Sequence, residues 1–301
     1  MKGEICLLGI IANPVAGKGR VERILPRIKK FMDEKSVPYI LKISQYPGHS
    51  RQLLKELVKE NIDAVIALGG DGTINEIANS ILEYRIPLGL IPMGSGNDYA
   101  KMIYPDISWK ALLISFSNAK IKYHDVGEVH VKNERLIFVN GLGIGFDTEV
   151  VKNLSRIKFL RGDLLYLASV LLTFREYRPV KLRIEWDENK VEKKILLCTI
   201  GCGKYLGGGF NLHPEADVED GIFELSIIEE VGSFKFLTTI PKVFKGTHLN
   251  EKKVFYTKGK EISIKGKHFY FQMDGELYKE PVEEINISIL PKILPILIPI
   301  P

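Results

Sequence analysis

Three glycines around one carboxylate, Gly69-Gly70-Asp71-Gly72, form the stretch of this chain best suited to chemistry. Glycine offers peptide N–H groups with no side chain in the way and tolerates positive φ. Asp71 sets one negative charge among them, where a metal or an attacking hydroxyl can meet it. Ahead of the glycines, residues 64–68 are apolar and partly β-branched, the signature of a buried parallel strand. Behind them, Thr73 and Glu76 have the S/T-x-x-E spacing of a capping box, and Ile74, Ile77, Ala78, Ile81 and Leu82 recur as one helical stripe. A strand, a glycine turn and a helix N-terminus together make an anion site, because N–H groups and the helix dipole both point into the turn.

The same unit repeats along the first half. Residues 5–12 read as a strand, Asn13-Pro14-Val15-Ala16-Gly17-Lys18-Gly19-Arg20 as a glycine loop, and Val21, Ile24, Leu25, Ile28 and Phe31 as a helical stripe. The loop is not a Walker A motif, since Ala12 stands at its first glycine and Gly19 where Ser or Thr would hold magnesium. Residues 39–43 make a further strand ending at Ser44, and residues 88–91 another, ending in Pro92-Met93-Gly94-Ser95-Gly96-Asn97-Asp98. Several βα units with glycine turns predict a doubly wound parallel sheet, with ligands bound beyond the carboxyl ends of the strands.

Near Asp125 the pattern changes to short alternating strands, at 128–131, 136–140, 182–186, 195–200, 222–228, 262–264, 269–273 and 285–289. This predicts an antiparallel β domain, with one helical insert over 163–177 and an extended, Pro-rich tail. The division falls at 1–125 and 126–301, with the extreme C-terminus free to pack back on the first domain. Asp220-Gly221 and Asp274-Gly275 each read, on their own, as hairpin turns.

Composition narrows the function. The 301 residues carry a net charge of +5 and three cysteines, Cys6, Cys198 and Cys202, none in a CxxC, so neither a disulfide framework nor a zinc knuckle is supported. No apolar run reaches the roughly 18 residues of a spanning helix. Lys152 to Arg183 holds eight Lys/Arg against Asp163 and Glu176, a patch suited to anionic lipid or to a solvated helix face. No nucleic-acid reading motif accompanies these charges. A cytoplasmic protein is expected, with peripheral contact at the inner membrane face through residues 164–174 as an option.

Four ordered motifs, GGDGTINE (69–76), PMGSGNDYA (92–100), GGGFNLHPEADVEDGIFE (207–224) and MDGE (273–276), resemble the diacylglycerol kinase-like lipid kinases of bacteria and archaea. That group is related to the NAD kinases and sphingoid-base kinases. The resemblance implies an NAD kinase-like N-terminal sheet and a β-sandwich-like C-terminal domain. It implies ATP bound by Asn13, Pro14, Val15, Ala16, Gly17, Ser44, Gly69, Gly70, Asp71, Gly72, Thr73, Ile74, Asn75 and Ser95. Ser44 and Ser95 stand where threonine is common, and Ala16 replaces a serine.

It further implies Mg²⁺ held near Asp220, with Asp217 and Ile222 as backbone-carbonyl ligands, and a general base in Glu276, with Asp274 as support or competitor and Asp71 organising the metal. The implied reaction passes the γ-phosphate of ATP to a hydroxyl of a lipid such as diacylglycerol, in phospholipid metabolism. A homodimer is compatible with it. The same motifs leave open a kinase of NAD or of a sphingoid base, and a nucleotide- or lipid-binding regulator without catalysis.

Overall fold

The computed structural model describes residues 5–154, 169–174 and 177–300. Its contacts divide the chain into two units, one of Met1–His124 with Lys292–Pro301 and one of Asp125–Pro291.

In the first unit, β1 (Leu8–Ala12), β2 (Tyr39–Ile43), β3 (Ala64–Gly69) and β4 (Leu88–Pro92) are all parallel, in the order β2-β1-β3-β4. β1, β3 and most of β4 are buried on both faces, which is why they read as continuous apolar runs. The helices are α1 (Ala16–Glu34), α2 (His49–Lys59), α3 (Asp71–Ile81), α4 (Asp98–Ile103) and α5 (Trp109–Ser115). Val21, Leu25, Ile28 and Met32 of α1 bury one helical face, as do Ile74, Ile77, Ala78 and Ile81 of α3. The chain order reverses between β1 and β3, the switch point at which such sheets open a crevice beyond the strand ends.

The second unit is antiparallel. It comprises β5 (Lys120–Val131, which begins in the first unit), β6 (Glu134–Phe138), β7 (Gly141–Gly145), α6 (Phe146–Leu154), β8 (Val180–Trp186) and β9 (Asn189–Gly201). There follow the hairpin β10 (Tyr205–Leu206) and β11 (Phe210–Asn211), β12 (Phe223–Glu229), a helix Ser233–Phe244, and β13 (Val254–Gly259). β14 (Glu261–Phe269), β15 (Phe271–Met273), β16 (Glu276–Leu277) and β17 (Val282–Ile298) complete it. The strands run β16-β15-β7-β9-β8-β14-β17, with β12 also on β9 and β13 on β12. The β-sandwich-like core lies among Phe138, Leu142, Ile184, Ile200, Phe223, Ile264, Phe271 and Ile285.

Several expectations needed correction. Thr73 and Glu76 form no capping box: α3 starts at Asp71 behind Gly70 without a side-chain cap, so Thr73 is its third residue, and Glu76 Oε1 accepts Gly48 N–H at 2.8 Å. The strand foreseen over 269–273 is broken after Phe269, between β14 and β15, and within β14 the register against β17 slips between Lys265 and Phe269, where His268 has φ +74°. The tail is extended, and it adds to the first unit, with Ile296 beside Leu88 of β4 and the Tyr104 hydroxyl donating to the Leu297 carbonyl at 2.5 Å. The insert over 163–177 and the basic patch lie mostly outside the described residues; of the insert, residues 169–174 are helical.

Candidate active site

Three loops leave the strand ends of the first unit side by side, and backbone packs directly on backbone. The Asn13 amide donates to the Leu68 carbonyl at 3.0 Å, and its side-chain Nδ2 donates to Thr73 Oγ1 at 3.0 Å, tying the loop after β1 to the loop after β3. Met93 N–H donates to the Gly69 carbonyl at 2.7 Å, tying that loop to the one after β4. A Cβ on Gly17 would sit 2.0 Å from the Met93 carbonyl oxygen, and one on Gly94 would sit 2.5 Å from Gly70 Cα. Gly17, Lys18 and Gly19 follow one another at φ +58°, +57° and +77°, so α1 is regular only beyond them. Glycine is needed at 17 on both counts.

Asp71 opens α3. Its Oδ2 accepts the Asn97 N–H at 2.7 Å, while the Asn97 side chain closes its own turn, Oδ1 accepting from Gly94 N–H at 2.8 Å and Nδ2 donating to the Gly94 carbonyl at 3.0 Å. The first turn of α3 has no side-chain cap, and its leading N–H groups have, by helix geometry, no intrahelical acceptor. That combination suits phosphate oxygens.

The remaining residues implied for ATP divide by exposure. Ser44 is buried at the end of β2, its N–H on the Ala12 carbonyl, whereas Val15 and Ser95 are exposed. Pro14, Ala16, Gly72 and Asn75 are half-buried, and the Asn75 side chain accepts from Asn79 Nδ2 at 3.0 Å. Ile74 is buried in the core and its N–H serves the helix through the Gly70 carbonyl, so its contribution is to hold α3 in place.

In the second unit Asp274 and Gly275, at φ +50° and +86°, form the two-residue turn between β15 and β16. The Asp274 carboxylate is buried, and both its oxygens accept backbone amides. Oδ2 takes the Val139 N–H at 2.8 Å, and Oδ1 takes those of Asn140 and Gly141 at 3.0 and 2.9 Å. These three amides tie the hairpin turn to residues 139–141. Glu276, two residues on, is exposed to solvent.

The segment implied for magnesium is a surface turn. Asp217 and Asp220 are exposed, and one oxygen of each accepts a turn N–H, from Glu219 at 3.0 Å and Ile222 at 3.1 Å. Behind it, fully buried Asp125 accepts the Gly221 N–H at 2.6 Å, a residue that sequence reasoning passed over because an acid inside a strand pattern gives no signal. Burial raises the Cys202 thiol well above its ordinary value, and the charges of Asp274, Asp125 and Asp220 raise it further. Among the described residues, no three acidic, His or Cys side chains converge to hold a metal. The donor set that remains, carboxylate plus peptide carbonyl and water, is all oxygen and fits Mg²⁺.

Comparison with known proteins places the chain in a family. Residues 8–129 match the diacylglycerol kinase catalytic domain, and residues 140–298, more than half the chain, match the YegS C-terminal NAD kinase beta sandwich-like domain. A diacylglycerol kinase of Staphylococcus aureus (strain MRSA252) is 30% identical over 285 residues, covering 93% of this chain and 89% of its own. That of Bacillus subtilis (strain 168) is 27% identical over 272 residues, 89% of this chain and 88% of that protein. A diacylglycerol kinase structure from Bacillus anthracis str. Sterne superposes with a TM-score of 0.69 at 22% identity, covering 98% of this chain and 97% of its own. An Archaeoglobus fulgidus NAD kinase in complex with ATP does so at 0.52 and 13%, covering 97% and 92%. Both structures bear on the fold. The chain belongs to the diacylglycerol kinase family and is a lipid kinase.

Proposed function

We propose that this protein transfers the γ-phosphate of ATP to the hydroxyl of diacylglycerol in an Mg²⁺-dependent reaction. The observation that carries the reading is the pinning of Asp71 to Asn97, which locks a carboxylate into a loop cluster otherwise built for phosphate. A carboxylate and a polyphosphate repel one another unless a cation lies between them. A bound Mg²⁺ supplies that positive charge, which phosphoryl transfer also requires.

The chain's own residues divide the work. The loops at Asn13–Gly17 and Gly69–Thr73 would hold the phosphates through N–H groups, with Ser44 and Ser95 offering hydroxyls. Asp71 would orient the metal side of the nucleotide, and the turn at Asp217, Asp220 and Ile222 would bind metal in the second unit. Glu276 would take the proton from the attacking hydroxyl, a step typically worth about 10²- to 10⁴-fold. Asp274 would keep the hairpin that carries Glu276 in register.

The test is incubation with γ-labelled ATP and, in parallel, diacylglycerol, sphingosine, phosphatidylglycerol and NAD, followed by thin-layer separation. Label in phosphatidic acid, abolished by chelating magnesium, is the expected result. Label in another acceptor reassigns the substrate, and label in none of them refutes the reading.

A further inference from the structure

The hairpin turn that leads into Glu276 has both of its central peptide N–H groups occupied. A two-residue turn ordinarily leaves those groups to water. Here the Asp274 N–H donates to the Gly141 carbonyl at 2.9 Å, and the Gly275 N–H donates to the side-chain Oε1 of Gln272 at 2.7 Å. Gln272 is only 1% exposed, and its Nε2 donates in turn to Asp147 Oδ2 at 2.5 Å. Asp147 lies in the first turn of α6 and is 6% exposed. A hydrogen-bonded path thus runs from a buried carboxylate on α6, through one carboxamide, to the residue that precedes Glu276.

The sequence makes room for this path. Gly143 of β7 stands opposite Gln272 in the ladder, and a Cβ on it would lie 2.0 Å from Asp147 Oδ2 and 2.8 Å from Gln272 Nε2. Glycine at 143 is what lets the carboxylate reach across the strand to the carboxamide. Polarity is set from the Asp147 end. A carboxylate only accepts, so Gln272 must turn its NH₂ toward it, which leaves Oε1 as the atom that faces Gly275. The charge-assisted bond is the stronger of the two and fixes the orientation of the weaker. Each central residue of the turn therefore has its own anchor: the Asp274 carboxylate on the amides of residues 139–141, and Gly275 on Gln272.

We propose that Asp147, acting through Gln272, positions Glu276 for phosphoryl transfer. This role rests on the reading of Glu276 as the base, and the variants below separate the two. Misplacing a catalytic group by about 1 Å can cost about 10²-fold in rate, so a turn with no slack at its tip matters for the step that Glu276 performs.

Turnover of γ-labelled ATP with diacylglycerol in detergent micelles is measured for the full chain, with thermal unfolding followed on the same samples. Gln272→Met keeps the length of the side chain and removes both hydrogen bonds. Its kcat is expected to fall about 10- to 100-fold, with KM for ATP and for diacylglycerol within about twofold of the parent. Asp147→Leu, of similar shape, should fall as far, because Gln272 then has no acceptor to set its orientation. Asp147→Asn, whose Oδ1 can still accept, should keep at least about a third of the parent kcat. In a Glu276→Gln background, adding Gln272→Met should cost less than about twofold more, since the group it places is already gone.

Parent-like kcat in both Gln272→Met and Asp147→Leu, beside an impaired Glu276→Gln, overturns the positioning role and leaves the base standing. A full further loss from Gln272→Met in the Glu276→Gln background overturns it as well, because the carboxamide then acts by another route. Should Gln272→Met fail to fold, Asp147→Asn and Asp147→Leu decide between themselves: equal kcat in the pair overturns the role. If Glu276→Gln turns over like the parent, or the parent not at all, the base assignment falls and the positioning role with it.

Discussion

The Asp71 carboxylate accepts the Asn97 N–H at 2.7 Å, joining the start of α3 to the turn that precedes α4. Asp71→Asn keeps an oxygen for that bond and removes the charge. Stability should change by no more than about 1 kcal/mol, the scale of a charge at a helix N-terminus. Turnover should fall by about 100-fold or more if the charge orients the nucleotide's metal. Calorimetric unfolding and a labelled-ATP assay on the same preparation measure the two effects.

Asp274 and Glu276 should separate cleanly. Asp274→Asn leaves one oxygen for three N–H groups, and should cost about 2–3 kcal/mol of stability in urea unfolding, since buried donors lose their acceptor. Glu276→Gln, at an exposed position, should stay within about 0.5 kcal/mol of the parent. Its kcat should fall by about 10²- to 10⁴-fold. Parent-like kcat in Glu276→Gln would move the base elsewhere.

Two glycines on the same edge should behave differently. Gly17→Ala places a methyl 2.0 Å from the Met93 oxygen at φ +58°, so the loop must move, with a loss of about 2 kcal/mol or more and weakened ATP binding. Gly48→Ala meets nothing within 4 Å at φ +84° and should cost about 1 kcal/mol with ATP affinity intact. Isothermal titration with Mg-ATP distinguishes them.

His213 predicts an acid-sensitive fold. Its Nδ1 faces the Gly203 carbonyl at 3.3 Å and its Nε2 the Thr199 hydroxyl at 2.9 Å, an arrangement that the neutral ring satisfies by donating from Nδ1 and accepting at Nε2. Burial lowers its pKa from 6.5 to about 4. The unfolded chain therefore binds this proton first as pH falls. The stabilisation is complete above pH 6.5 and is lost progressively down to about pH 4, by up to about 3 kcal/mol. Glu251, held near 2 by hydrogen bonds from Lys235 and Lys242, contributes its loss only below the usual carboxylate range. Melting curves from pH 7.5 to 4.5 should show the decline, and His213→Gln should flatten it.

The first unit was the more legible half because buried parallel strands print as unbroken apolar runs. Residues 64–68 stood out on that ground and match most of β3, while residues 39–43, only partly buried and containing Lys42, match β2. In the second unit the helix Ser233–Phe244 was missed, since Thr238, Thr239, Ile240 and Pro241 argue locally against a helix and only its packing on Phe146 and Leu196 overrides them. β7 was missed for the opposite reason, its Gly-Leu-Gly-Ile-Gly run carrying little strand propensity while pairing with both β9 and β15. In the site, the glycine loops were visible as spacing. The hydrogen-bond partners of Asn97, Asp125 and Asp274 were not, because each lies 26 to 135 residues away in sequence.

β17 places Ile296 beside Leu88, so the parallel sheet is finished by a segment translated after all of β5 to β16. A ribosome making this chain must expose an incomplete β4 edge until the last strand emerges, and the usual order, in which the leading unit matures first, is closed to it. The first unit therefore cannot be completed before the second has been made, and a message cut short before Lys292 would leave its sheet unfinished.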